Sequence, residues 1–199
     1  MDAVVMAGGK GTRLKMGEKP MVKILGRHLI ERVVLALEDS SIGRIAVAVT
    51  DSVPATRQWS KARDLEIIDT SGRGFVADMV EAVQTAEMKG PVMVIMADLP
   101  LINSELIDYI MEVYGERQKP ALSTHTPLSL HSKLGRRPDS LFNYQGQLIV
   151  PSGVNILDGS KIEDEQEDFH LILERMELSV NVNTAEDLKL FESILGDIA

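Results

Sequence analysis

Short, nearly continuous apolar runs alternate along the chain with longer segments whose apolar residues recur every three or four positions. Val4-Val5, Ile45-Ala46-Val47-Ala48-Val49, Ile67-Ile68 and Val92-Met93-Val94-Ile95-Met96 are of the first kind. None alternates apolar with polar, as a strand with one wet face would, and each is followed by polar residues or by Gly or Pro. They predict strands buried on both faces of a parallel sheet. Between them, Leu29, Ile30, Val33, Val34 and Leu37 form one helical stripe, and Phe75, Met79, Val80 and Val83 a second. Leu106, Ile107, Ile110, Met111 and Tyr114 form a third, with Asn103 or Ser104 as its N-cap. Such alternation predicts an α/β fold: a mostly parallel central sheet, helices on both faces, and ligands at the carboxyl ends of the strands.

The pattern weakens across 119–147, where Pro120, Pro127, Gly135, Pro138 and Gly146 punctuate a polar stretch containing Arg136-Arg137. This reads as an irregular excursion from the sheet, placed to receive a substrate, and not as a separate domain. The chain is then expected to return through a strand at 154–157, a helical region at 162–173, a strand at 178–182 and a closing helix at 185–195. The acidic run from Glu163 to Asp168 reads as a solvated helix face.

At 199 residues the chain suits one domain, and its 44% hydrophobic and 26% charged residues are those of a chain that folds. A net charge of -9 disfavours nucleic acid or an anionic membrane as partner, leaving room only for a local basic pocket such as Lys10, Arg13 and Lys19 would make. The absence of cysteine removes disulfides, thiolate metal sites and thiol nucleophiles. With no basic-then-apolar leader and no apolar run of spanning length, a cytoplasmic protein is expected. His28, His125, His131 and His170 have no mutual metal-like spacing, so surface or hydrogen-bonded structural roles are expected of them.

Chemistry concentrates after the first strand, in Met6-Ala7-Gly8-Gly9-Lys10-Gly11-Thr12-Arg13 followed by Glu18-Lys19-Pro20. Glycines let backbone N–H groups close on phosphate oxygens while nearby cations balance their charge, so a bound nucleotide is implied. The P-loop pattern fails, because no Lys-Ser or Lys-Thr follows a glycine at the required spacing; the dinucleotide pattern fails, because Gly9-x-Gly11 is followed by Leu14. Asp98, just past the strand Val94-Ile95-Met96, is placed either to cap a turn before Pro100 or to hold a hard divalent ion against phosphate oxygens. Asp69-Thr70-Ser71-Gly72-Arg73-Gly74 is a strand-to-helix turn rich in small polar residues, and Thr184-x-Glu186-Asp187 has the form of a helix start.

The opening string with its Lys-Pro pair resembles the signature of the nucleotidyltransferases that activate sugars, alcohols and cofactors with a nucleoside triphosphate. The resemblance spans nearly the whole chain and implies a single-domain, Rossmann-like nucleotidyltransferase fold. It implies that Ala7, Gly8, Gly9, Lys10, Gly11, Thr12 and Arg13 bind the triphosphate, with Arg13 on the departing pyrophosphate. Lys19 would stabilise charge at the reacting phosphorus while Lys23 stays a solvated lysine. Asp98 would hold Mg²⁺ or another divalent cation, completed by Asn183, and Asp69, Ser71, Gly72 and Gly74 would recognise the nucleoside. Pro151-Ser152-Gly153-Val154-Asn155 is similar to acceptor-side segments, which makes Gly153 and Asn155 the acceptor candidates. Within the family, the motifs together look most like the archaeal-type guanylyltransferases that transfer GMP from GTP to adenosylcobinamide phosphate in cobalamin biosynthesis, releasing pyrophosphate. Molybdenum-cofactor guanylyltransferases, sugar-phosphate nucleotidyltransferases and, in another class, a catalytically silent nucleotide-binding module are the rivals. The implied partners are small molecules, with neither nucleic acid nor membrane; a homodimer is left open.

Overall fold

In a computed structural model, which describes residues 1–196, the apolar runs become neighbouring strands. Along the chain lie β1 (Asp2–Met6), a single 3-10 turn (Lys19–Met21), β2 (Lys23–Ile24), β3 (Arg27–His28) and α1 (Leu29–Glu38). Next come β4 (Ile45–Val49), α2 (Pro54–Ala62), β5 (Glu66–Asp69), α3 (Phe75–Thr85), β6 (Pro91–Met96) and α4 (Ser104–Glu116). The remainder comprises β7 (Ala121–Pro127), α5 (Leu128–Lys133), β8 (Phe142–Tyr144), β9 (Gln147–Asp158), β10 (Asp168–Ile172), α6 (Met176–Ser179) and α7 (Ala185–Gly196).

The main sheet has eight strands in the order β10-β7-β9-β6-β1-β4-β5, with β8 added to β9. β1 lies parallel to both β4 and β6, so that Val5 sits opposite Val47 and Ile95, and β5 continues the parallel run beside β4. Only β9 runs against this direction, being antiparallel to β6, β7 and β8. Alternate residues of β1 enter different cores. Ala3 and Val5 join Ile30, Val33, Ile107 and Ile110 of α1 and α4, while Val4 and Met6 join Ala82 and Val83 of α3. Both faces are therefore dry, which is why these strands read as unbroken apolar runs. Each fully buried Val or Ile contributes about 1.5–3 kcal/mol of transfer free energy.

A third cluster of Leu14, Val22, Ile24, Leu29, Val180, Val182 and Phe191 lies apart from the sheet cores. It seats the Lys19–Met21 turn and the β2–β3 hairpin against the closing segment and α7. Because β1, β4, β5 and β6 point the same way, the loops after Met6, Val49, Asp69 and Met96 all emerge at one edge of the sheet.

Three expected elements differ. The segment 119–147 does not leave the sheet at its start: β7 lies between β10 and β9, and only the chain between β7 and β8 departs before β8 pairs with β9. β7 was invisible to hydropathy because Thr124, His125 and Thr126 are buried polar residues. Their burial is made tolerable by bonds such as Thr124 Oγ1 to Val154 O at 2.7 Å. The expected helix at 162–173 is instead a turn followed by β10, which pairs in parallel with β7 from Asp168↔Ala121 to Ile172↔His125. The acidic run lies mainly in that turn, fastened by Gln166, whose amide accepts from Asp158 N at 2.8 Å and donates to Asp158 O at 3.0 Å. The expected strand at 178–182 is replaced by the four-residue α6 and an extended piece that gives one backbone bond, Val182 N to Asp98 O at 3.2 Å.

Gly153 lies in β9 at φ +82, and a Cβ there would stand 2.8 Å from Met96 Cγ. Both the left-handed backbone and the contact penalise any side chain. Gly153→Ala is expected to lower stability by about 1–3 kcal/mol; a denaturant midpoint unchanged from the parent would refute the packing argument.

Candidate functional site

At the shared edge, the chain leaving β1 turns back on itself. Lys19 N donates to Gly9 O at 3.1 Å, and Leu14 N and Lys15 N donate to Gly11 O at 3.0 and 3.1 Å. Gly11 holds φ +65, and a Cβ on it would lie 2.5 Å from Gly17 O, so the loop closes this tightly only with glycine there. Among the described residues, the amides from Gly8 to Arg13 donate to no other protein group, whereas Ala7 N is spent on Ala48 O at 2.8 Å. A run of unspent amides beside cations is an anion-binding surface. Lys10, Thr12 and Arg13 are exposed on it.

Glu18 and Lys19 divide the work of the following turn. The Glu18 carboxylate accepts from Ala55 N at 2.7 Å, Thr56 N at 2.6 Å and Thr56 Oγ1 at 2.7 Å. It thereby caps α2, whose own N-cap position, Val53, has no capping side chain. With Glu18 fixed and Pro20 buried, Lys19 is directed the other way. Its Nζ donates to Asp98 Oδ2 and, at 2.6 Å, to Asn183 Oδ1.

This centre is half-closed from solvent, the Lys19 and Asp98 side chains being 16% and 6% exposed. Asn183 reaches it because its loop is braced. Asp187 Oδ2 accepts from Asn183 N at 2.9 Å and Thr184 N at 2.8 Å, and Asp187 N donates to Thr184 Oγ1 at 3.2 Å, the expected helix start. Arg136 grips the same loop, donating to Asp187 Oδ1 at 2.9 Å, to Asn181 O and Oδ1 at 2.8 Å each, and to Ser179 O. In the sequence Arg136 falls within a basic stretch and Glu18 carries no mark of a role. Both act through partners tens of residues away, which no local pattern discloses.

The residues present suit a hard divalent cation. Asp98 Oδ1 is buried without a hydrogen-bond partner, and Asn183 offers a neutral oxygen beside it. Among the described residues no group of three His, Cys, Asp or Glu side chains is placed to hold a metal, so its other ligands would have to be phosphate or water oxygens.

The nucleoside candidates stand along the edge. Asp69 pairs with Arg57, which holds its carboxyl below the ordinary range. Ser71 gives both its amide and its hydroxyl to Glu81 at 2.8 Å, and Gly72 and Gly74 take φ +69 and +118. Thr50, at the end of β4, joins this loop to the first. Its hydroxyl bonds Ser52 at 2.6 Å and lies 3.4 Å from Gly8 O, and its methyl packs toward Gly72. On the other side, Arg13 meets Asp139 at 2.7 Å with both side chains exposed. These two and Asn183 line a cavity of about 490 Å³ with Arg136, Arg137 and Ser152. Of the acceptor candidates, neither Gly153 nor Asn155 lines it; Asn155 sits mid-strand, opposite Val94 and Ser123. His131 does line the cavity, buried and bonded through Nε2 to Thr126 Oγ1 at 2.8 Å.

Residues 3–137 match the family model of the MobA-like NTP transferase domain. The chain is 31% identical to the adenosylcobinamide-phosphate guanylyltransferase of Methanocaldococcus jannaschii, covering 98% of this chain and 97% of that protein. It is also 31% identical to a probable molybdenum cofactor guanylyltransferase of Thermococcus sibiricus, but over 58% of this chain and 57% of that one. Among solved structures it resembles the molybdopterin-guanine dinucleotide biosynthesis protein A of Archaeoglobus fulgidus with a TM-score of 0.69 at 20% identity, covering 99% of this chain and 100% of that one.

Burial, and after it the neighbouring Arg136, pushes the His131 imidazole down from 6.5 to about 4. Between those values the unfolded chain binds a proton that the folded chain refuses, so stability present above pH 6.5 is lost as pH falls toward 4. His131→Gln is expected to lose less stability over this window than the parent, as read from urea midpoints at its two ends. Equal losses would contradict the burial of a neutral imidazole.

Proposed function

The chain belongs to the MobA-like NTP transferase family and is a nucleotidyltransferase; from that premise we propose that it transfers GMP from GTP to adenosylcobinamide phosphate. Support for this acceptor comes from similarity to a protein of that name along nearly the full length of both chains. Support for the reaction comes from the Lys19–Asp98–Asn183 centre, standing at the strand edge beside the unspent amides of Gly8 to Arg13.

In the reaction, a phosphate oxygen of the acceptor attacks the α-phosphorus of GTP. A new P–O bond forms there, the bond to the bridging α–β oxygen breaks, and pyrophosphate leaves with that electron pair. No enzyme nucleophile is required, so the protein's part is alignment and charge neutralisation. The amides of Gly8, Gly9, Gly11 and Thr12 take the triphosphate oxygens, and Lys10 and Arg13 balance the departing pyrophosphate. For Arg13 this means exchanging the Asp139 carboxylate for a phosphate. Asp98 and Asn183 would hold a divalent ion, which when bound would neutralise charge on the triphosphate oxygens. Lys19 places its ammonium on the reacting phosphate, where charge builds in the transition state. Asp69, Ser71, Gly72 and Gly74 border the nucleoside.

The cavity beyond Arg13 receives the acceptor. At about 490 Å³ it is a small-molecule pocket, but a corrin ring with its amide arms does not fit inside. It therefore takes the phosphate-bearing arm, with Arg137 at its wall to meet the phosphate. The macrocycle rests outside, where Leu141 and Phe142 stand exposed just past the cavity residue Ser140. This leaves Gly153 with a packing role.

Pyrophosphate release with Mg²⁺, GTP and one acceptor at a time tests the assignment. Release with adenosylcobinamide phosphate, and none with a molybdopterin or a sugar 1-phosphate, is the expected result; release with the pterin alone would move the chain to the reading that the Thermococcus relative favours. Lys19→Ala is expected to lower kcat by about 10²–10³, the scale for one lost charge-stabilising donor, and an unchanged kcat at saturating substrates would remove Lys19 from the chemistry.

A further inference from the structure

The ammonium of Lys19 is bound by the same residues that would hold the metal. Asp98 Oδ2 and Asn183 Oδ1 both accept from Nζ, the second at 2.6 Å, while Asp98 Oδ1 is buried with no partner. Asp98 is 4% exposed. A carboxylate so placed needs a cation, because an uncompensated charge at that depth is costly. Lys19 supplies one from inside the chain. The charge count of the centre is then closed: Asp98 contributes -1, Lys19 +1 and Asn183 nothing.

A divalent ion arriving alone would add two charges to a neutral, half-closed centre where, among the described residues, no group of three His, Cys, Asp or Glu side chains is placed to hold it, and would meet a neighbouring ammonium already holding its oxygens. An ion arriving with a nucleoside triphosphate brings compensating negative charge and new acceptors for Nζ. Lys19 has the means to change partners. Its backbone is pinned by the bond to Gly9 O and by the cap that Glu18 makes on α2, while the four-carbon stem above that anchor has rotatable bonds through which the ammonium can be redirected.

We propose that Lys19 is a built-in counter-cation of the metal site: it occupies Asp98 and Asn183 before substrate binds, excludes a free divalent ion, and gives up those oxygens only when the ion comes with the triphosphate, moving its ammonium from carboxylate to phosphate. The inference rests on the nucleotidyltransferase reading of the site but not on the identity of the acceptor. It makes ion and nucleotide bind together, and couples filling of the metal site to delivery of Lys19.

Mn²⁺ titrations followed by water-proton relaxation test this without any turnover, using the full chain with no nucleotide present. Parent protein is expected to bind Mn²⁺ at the centre at least tenfold more weakly than Lys19→Met, and the added change Asp98→Asn in the Lys19→Met background to abolish the gain. Lys19→Gln, which keeps a donor but no charge, guards against a folding defect in the methionine variant and is expected to follow it. Equal Mn²⁺ affinity in parent and both variants, or a gain that survives Asp98→Asn, would overturn the proposal. Failure of every acceptor to release pyrophosphate would count against the proposed reaction and leave this binding result standing.

Discussion

One ammonium ties the molecule's functional edge together. Lys19 Nζ joins Asp98, 79 residues away, and Asn183, 164 residues away, so three distant stretches of chain meet at a single cation. Each is delivered by a different device. Lys19 rides on a turn held by Glu18 and by the third apolar cluster, Asp98 follows directly from β6, and Asn183 stands on a loop braced by Arg136 and Asp187. Replacing one partner leaves a deeply placed charge or oxygen unpaired, so the arrangement is all or none in a way that a surface ion pair is not.

The sheet makes that meeting possible. Parallel β1, β4, β5 and β6 bring four loops to one edge, and the reversed β9 extends the sheet beside β6 on the side where the cavity lies. These loops therefore cluster over the parallel half, and Arg13 and Asn183 mark the boundary with the cavity. Rigidity is distributed accordingly. The backbone that carries Lys19, Asp98 and Asn183 is held by buried neighbours, whereas Arg13, Lys10 and Asp139 stand on an exposed part of the edge.

Much of this was written locally in the chain, and what was not has a physical reason. Strands such as Ile45–Val49 and helices such as Leu29–Glu38 announce themselves because their burial is apolar and periodic. β7 hides because Thr124, His125 and Thr126 are buried through hydrogen bonds, and α2 because its inward residues include Thr56 and Ser60, both fully buried. β10 was mistaken for helix because the acidic turn before it imitates a solvated helical face. At the site, Lys19, Asp98 and Asn183 were legible one by one from their motifs, but that they touch one another is a fact of topology. Glu18 and Arg136 carry no local mark of their roles, since what each does is set by amides and carbonyls brought in from elsewhere. For Gly153 and Asn155 the resemblance implies acceptor contacts. Neither lines the cavity: Gly153 faces Met96 and Leu99, and Asn155 sits mid-strand.

Lys19 and Asp98 are expected to act as one unit in the reaction, and a double-mutant cycle in kcat measures that directly. With Lys19→Ala, Asp98→Ala and the pair assayed under the same saturating conditions, the combined variant should be little slower than the slower single variant, because the ammonium and the ion that Asp98 would hold act together on one triphosphate and neither suffices without the other. Losses that multiply, each residue contributing its full factor in the absence of the other, would contradict it.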